Sequence, residues 1–183
     1  MKDNIVIITA ALCGGTTPKA KNSALPTTPE ELAQDAYLCW KAGAAIVHLH
    51  MRDEQCNGTM DASRFAKTIY LIRAHRDCDV IINCLSSGER GANNAKRMKH
   101  FETVDGIEIG SYDTGSFNWG GEGIFENSPV FLKKLGMLYQ EREIKPECEI
   151  FDMGMLGNAK WLMENGYIRP PMFAELFLLH FQS

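Results

Sequence analysis

Six short runs rich in β-branched and apolar residues alternate with helical patterns at roughly 30-residue spacing, which restricts the chain to parallel-sheet α/β folds. Asn4 to Ala11 (NIVIITAA) is nearly continuously apolar, as a parallel strand covered on both faces would be. Thr28-Pro29-Glu30-Glu31 supplies a helix cap, a proline at the first helical position and a glutamate three residues after the cap. Leu32, Ala36, Cys39 and Trp40 share one face behind it, and Gly43 suits the stop. Ala45 to His50 reads as a second strand, Asp61 as the cap of a helix striped by Phe65, Ile69 and Ile72, and Val80 to Leu85 as a third strand. A weak helix from Asn94 to Phe101 and a short strand from Gly106 to Gly110 follow. Ser128-Pro129 opens another helix, with Phe131, Leu132, Leu135 and Leu138 at helical spacing. Glu147 to Phe151 reads as the fifth strand, Met155 to Asn165 as a helix closed by Gly166, and Met172 to Phe181 as the start of a sixth strand.

Such a sheet either stays open and doubly wound or closes as a (β/α)₈ barrel. No G-x-G-x-x-G follows the first strand, which weighs against a dinucleotide-binding sheet. A full barrel takes about 250 residues. The 183 residues hold about six of its eight units, so the expectation is one α/β domain over 1–183 of the TIM-barrel type, short at its C-terminal side. Apolar residues at 45% give material for a core and exclude a disordered chain. A net charge of −4 with no basic tract argues against nucleic acid or an anionic membrane as partner. No apolar run reaches the roughly 18 residues of a membrane span, and the first residues do not form a signal peptide. The six scattered cysteines read as buried thiols in a reducing, cytoplasmic setting rather than a disulfide framework.

His48 and His50 are the sharpest chemical signal. Two apart on a strand, they point to one face, and two imidazoles so placed can converge on a single ion. They also sit at the carboxyl end of their strand, where parallel α/β folds gather active sites. The competing reading is a pair of core histidines bonded to backbone carbonyls. His75, His100 and His180 read as structural or exposed. Glu147 and Glu149 share one side of the fifth strand: Glu149 is a candidate acid/base or substrate ligand, Glu147 a solvated strand-start charge, and Asp152 a helix cap. Ser86-Ser87-Gly88 ends the third strand and Ser111 the fourth; hydroxyls and amides there can hold a carboxylate or enolate oxygen, or simply shape turns. The segment from Asp113 to Gly123 is either an active-site loop or a long turn.

Taken in order, several segments resemble the β-keto acid cleavage enzymes. They are Ile8 to Ala11 with Gly14, Leu25 to Glu31, Ala42 to Asp53 (AGAAIVHLHMRD), Gly110 to Gly120, Asn127 to Pro129, and Lys145 to Asp152 (KPECEIFD). The resemblance implies a (β/α)₈ barrel, usually oligomeric, with a divalent metal, commonly zinc. It implies conversion of a β-keto acid and acetyl-CoA into a new CoA ester and acetoacetate. It makes His48 and His50 metal ligands, Ser86, Ser87, Gly88 and Ser111 substrate-binding residues, and Glu149 an active-site glutamate. Thr16 stands where the aminohexanoate-cleaving members carry a glutamate for the substrate's amino group, which implies a keto acid without that cation. Glu89 replaces the second glycine of a Gly-Gly pair and is expected to narrow the pocket. The family's glutamate ligand, catalytic aspartate and supporting arginine belong to the last barrel strands, beyond this sequence. The alternative expectation is therefore an incomplete barrel without activity that binds metal weakly.

Overall fold

Side-chain parity and helix capping organise residues 5–118 and 123–177, which the computed structural model describes, into two compact units divided after Glu108. In the first unit, β1 (Thr9–Ala11) leads to α1 (Pro29–Lys41), β2 (Ile46–Leu49) and the short strands β3 (Met51–Arg52) and β4 (Gly58–Thr59). There follow α2 (Ala62–Ala74), β5 (Ile81–Cys84) and α3 (Asn94–Thr103). Strand β2 runs parallel to β1, with Ala11 opposite His48, and parallel to β5, with His48 opposite Asn83. β3 and β4 form an antiparallel hairpin.

The helices begin where the sequence provides acceptors. Thr28 accepts from the Glu31 amide at 3.1 Å while the Glu31 carboxylate accepts from the Thr28 amide at 3.1 Å, a reciprocal box. Asp61 caps α2 through the Ser63 amide, and Asn93 caps α3 through the Lys96 amide, both at 2.9 Å. Leu32, Ala36, Phe65 and Ile72 are fully buried on the inner faces of α1 and α2. Each large side chain so buried stabilises the fold by about 1.5–3 kcal/mol. His100 of α3 stacks on Phe65 and bonds the Leu85 carbonyl at 3.0 Å, the structural role expected of it.

In the second unit, β6 (Ile109–Asp113) precedes a small antiparallel pair, β7 (Phe117–Asn118) and β8 (Ile124–Phe125). Then come α4 (Pro129–Glu141), β9 (Lys145–Ile150), α5 (Met153–Glu164) and β10 (Phe173–Leu176). β9 is flanked in parallel by β6 and β10, so that Asp113, Glu149 and Glu175 stand abreast on three neighbouring strands. Of opposite parity, Tyr112 donates from its hydroxyl to the Leu132 carbonyl of α4 at 2.6 Å, which fixes that face of β6 against the helix. Repeated strand–helix order with parallel pairing makes the fold α/β of the (β/α)-barrel type, with six of the eight strands represented.

Three expectations shift. The first strand is shorter than Asn4 to Ala11: Ile5, Val6, Ile7 and Ile8 are exposed, and pairing begins only where the Ala45 and Ile46 amides both donate to the Ile8 carbonyl. The fourth strand lies three residues later than Gly106 to Gly110, because Gly106 adopts φ +84° and turns the chain before β6. Ser111 consequently sits inside β6 rather than at its end. Asp152 caps α5 through the Met155 amide as expected. Of the sixth strand, β10 realises 173–176; the expected remainder from 178 to 181, with His180, lies outside the described residues.

Candidate active site

In the first unit the alternation of β2 sends Val47 and Leu49 into the fully buried core and His48 and His50 to the other face. The two imidazoles stand side by side, with centroids 5.0 Å apart and planes at 60°. Burial pushes the His48 pKa down to about 4, partly opposed by a hydrogen bond between the ring and the Asn83 side chain. Burial, then the His48 and Arg52 charges, pushes that of His50 down to about 3. Both rings are therefore neutral at physiological pH. The His50 Nδ1 atom is buried and lacks a hydrogen-bond partner among the described residues. An orphaned ring nitrogen costs about 1–3 kcal/mol. Two neutral imidazoles side by side, one with that orphaned atom, are a donor set that fits a divalent cation such as zinc.

The loops around this pair are held by groups that sequence reasoning missed. Arg52, almost wholly buried, donates to the carbonyls of Gly14 and Cys56 at 2.9 Å, of Thr17 at 3.1 Å and of Cys13 at 3.3 Å. A guanidinium with four bonds to backbone oxygens ties the loop after β1 to the β3–β4 hairpin. Ser86 is fully buried directly after β5, and Ser87 and Gly88 beside it are half-buried. Gly58 must be glycine, because a Cβ there would lie 1.8 Å from the Gly88 carbonyl oxygen. Glu89 turns toward the hairpin, where it accepts from the Met60 amide at 2.9 Å.

The second unit gathers carboxylates. Asp113, Glu147 and Glu149 are all buried, and Ser111 pairs in register with Glu147. Glu147 is thus no solvated strand-start charge: β9 begins two residues earlier, at Lys145, and places Glu147 well inside the strand. Burial and the neighbouring Asp113 charge raise the Glu149 pKa well above the ordinary carboxylate range, while the Ser111 hydroxyl beside it favours the charged form. Glu175 is also raised, by partial burial and then by Asp113. Neither Asp113 nor Glu175 was singled out in the sequence; the signal is the strand register, which no local pattern contains. A separate cavity of about 430 Å³ in this unit, lined by Ser116, Asn127, Lys133, Asn158 and Trp161, reaches Leu132 and so lies on the helix side of β6.

Residues 5–181 match the profile of the β-keto acid cleavage enzyme family. The chain is 39% identical over 173 residues to a 3-keto-5-aminohexanoate cleavage enzyme of Fusobacterium nucleatum, covering 94% of this chain and 62% of that protein. It is 33% identical to the enzyme of the same name from Acetoanaerobium sticklandii, covering 91% and 60%. It is 29% identical to a 3-dehydrocarnitine:acetyl-CoA trimethylamine transferase of Rhizobium meliloti, covering 93% and 63%. The chain thus spans about three fifths of the length of these curated relatives. Among solved structures, apo ObcA superposes with a TM-score of 0.73 at 24% identity over 82% of this chain and 35% of that one. That likeness concerns the fold alone. Among the described residues, no helix is long and apolar enough to cross a membrane.

Proposed function

Because the chain belongs to the β-keto acid cleavage enzyme family, we propose that it acts on a β-keto acid with acetyl-CoA as co-substrate. The products are a new CoA ester and acetoacetate. The carbon–carbon bond between the keto carbon and its CH₂ breaks, a new one joins that CH₂ to the acetyl carbon, and the CoA sulfur ends on the keto carbon. The observation that carries the reading is the neutral imidazole pair of His48 and His50 within a family match spanning nearly the whole chain.

In this reading His48 and His50 hold a divalent cation, zinc or another, which when bound supplies Lewis-acid polarisation of the keto oxygen and so acidifies the adjacent CH₂. Asn83 orients the His48 ring through its side-chain hydrogen bond. The hydroxyls of Ser86 and Ser111, with Ser87 and the Gly88 backbone, bind the oxygens of the keto acid. Glu149 is the acid/base: its raised pKa favours the protonated carboxyl, which can hand its proton over as charge develops on substrate. Thr16 offers no charge to a substrate ammonium, which supports a keto acid without an amino group. The free thiols of all six cysteines support a reducing, cytoplasmic location, and the exposed run from Ile5 to Ile8 supports a homo-oligomer.

The test is incubation of the zinc-loaded protein with acetyl-CoA and a panel of β-keto acids, with acetoacetate as the readout. Acetoacetate appearing with a keto acid that lacks an amino group faster than with 3-keto-5-aminohexanoate is the expected result. No product from any keto acid, with metal present, contradicts the assignment.

A further inference from the structure

Glu89 lies one residue after Gly88, in the loop between β5 and α3. Its side chain leaves that loop and reaches the β3–β4 hairpin. Oε2 accepts from the Met60 amide at 2.9 Å and from the Thr59 hydroxyl at 3.4 Å, while Oε1 pairs with the Lys96 ammonium of α3. Beneath this anchor the backbones of Gly15, Gly58 and Gly88 come together, and those of Gly15 and Gly88 line the side facing His50. A Cβ on Gly58 would meet the Gly88 oxygen at 1.8 Å, and one on Gly15 would meet the same oxygen at 3.5 Å and His50 Nδ1 at 3.4 Å. A Cβ on Gly88 would stand 3.7 Å from His50 Nδ1. The Gly88 backbone is thus pressed against the hairpin at Gly58 and stands about one methyl's width from the histidine ring.

We infer that Glu89 is a positioning residue: its carboxylate locks the Ser86–Gly88 loop onto the hairpin, and the loop so held sets the wall beside the His50 ring. An ion pair with Lys96 alone would be an exposed contact of little consequence. The bond to the Met60 amide differs in kind, because it joins two loops across the close Gly58–Gly88 approach. A side chain one methylene shorter cannot bridge the same gap, whereas a glutamine oxygen can. The consequence for metal affinity rests on the metal-ligand reading of His48 and His50; the consequence for the His50 ring does not.

The variants Glu89→Asp, Glu89→Gln, Glu89→Ala and Lys96→Met separate these contributions. Long-range ¹H–¹⁵N spectra of the imidazoles, recorded without added metal, report the His50 ring, and absorption titration with Co²⁺ reports affinity. E89D and E89A are expected to shift or broaden the His50 ring signals and to weaken Co²⁺ binding about 10-fold, at the lower end for loss of an outer-shell partner. E89Q and K96M are expected to keep the wild-type ring signals, with affinity within about threefold. Unchanged ring signals in both E89D and E89A, or a K96M variant that reproduces E89A, overturn the inference. If wild-type protein takes up no Co²⁺, the metal reading fails, yet the ring signals still decide the role of Glu89. If E89A does not fold, the contrast between E89D and E89Q decides it.

Discussion

The two units bury ionisable groups by the same physics and obtain opposite chemistry. In the first, desolvation strips protons from His48 and His50 and leaves two electron-pair donors. In the second, desolvation and the Asp113 charge raise the Glu149 pKa and favour its protonated form. Burial disfavours charge of either sign, so the residue type decides whether the product is a ligand or a proton donor. The supports differ as well. The imidazoles are surrounded by loops clamped through Arg52 and backbone carbonyls. The carboxylates stand on strand interiors, held by register and by Tyr112 and Tyr139, whose hydroxyls donate to the carbonyls of Leu132 and Ser111.

Substitutions in the ligand pair should have the largest effect. His48→Ala or His50→Ala is expected to reduce Co²⁺ affinity by more than the roughly 10–100-fold that an outer-shell loss costs, read by absorption titration. On the acid side, Glu149→Gln is expected to lower kcat for acetoacetate formation by about 10²–10⁴-fold while leaving Co²⁺ affinity near wild type. That contrast is the sharpest way to separate the two units. Equal loss of metal in E149Q and H48A would erase the division of roles.

The pH dependence of stability should run in opposite directions. A histidine held below its ordinary value contributes stability that is complete above pH 6.5 and lost as pH falls toward about 4 for His48. Glu149, held above its ordinary value, is compatible with the fold while protonated and costs stability as pH rises from about 4.5 through its raised value. Urea unfolding of metal-free H48A should therefore lose less stability than wild type between pH 6.5 and 4, and E149Q should lose less as pH rises above 4.5. Parallel pH curves for all three proteins would break the comparison. The smallest effect belongs to the scaffold: Thr28→Ala in the first unit and Ser128→Ala in the second each remove one cap and should cost about 1 kcal/mol in chemical denaturation. Neither should alter metal affinity.

Local chemistry was legible in the sequence, and non-local pairing was not. The Thr28–Glu31 box, the Asp61 and Asp152 caps and the His48/His50 parity are all settled within a few residues, and each stands as the spacing predicts. Asn83 beside His48, and Asp113 beside Glu149, become neighbours only through the registers of β2 with β5 and of β6 with β9. Arg52 looks like an ordinary exposed charge until the β1 loop folds over it and supplies three of its four carbonyls. Glu147 misled for a related reason, since a strand beginning at Lys145 with a proline at its second position gives no local sign of where pairing starts. The run from Ile5 to Ile8 has the composition of a covered strand but stands exposed. Composition reports what a segment can bury, not whether a neighbour is there to bury it.

The proposed chemistry depends on His48 and His50 gripping one cation together. X-ray absorption at the zinc edge of the stoichiometrically loaded protein tests this directly, alongside H48A and H50A. The expected result is one tightly held zinc whose first shell contains two imidazole nitrogens at about 2.0–2.1 Å, reduced to one in either variant. A zinc shell without imidazole scattering, or one unchanged by both substitutions, would contradict it.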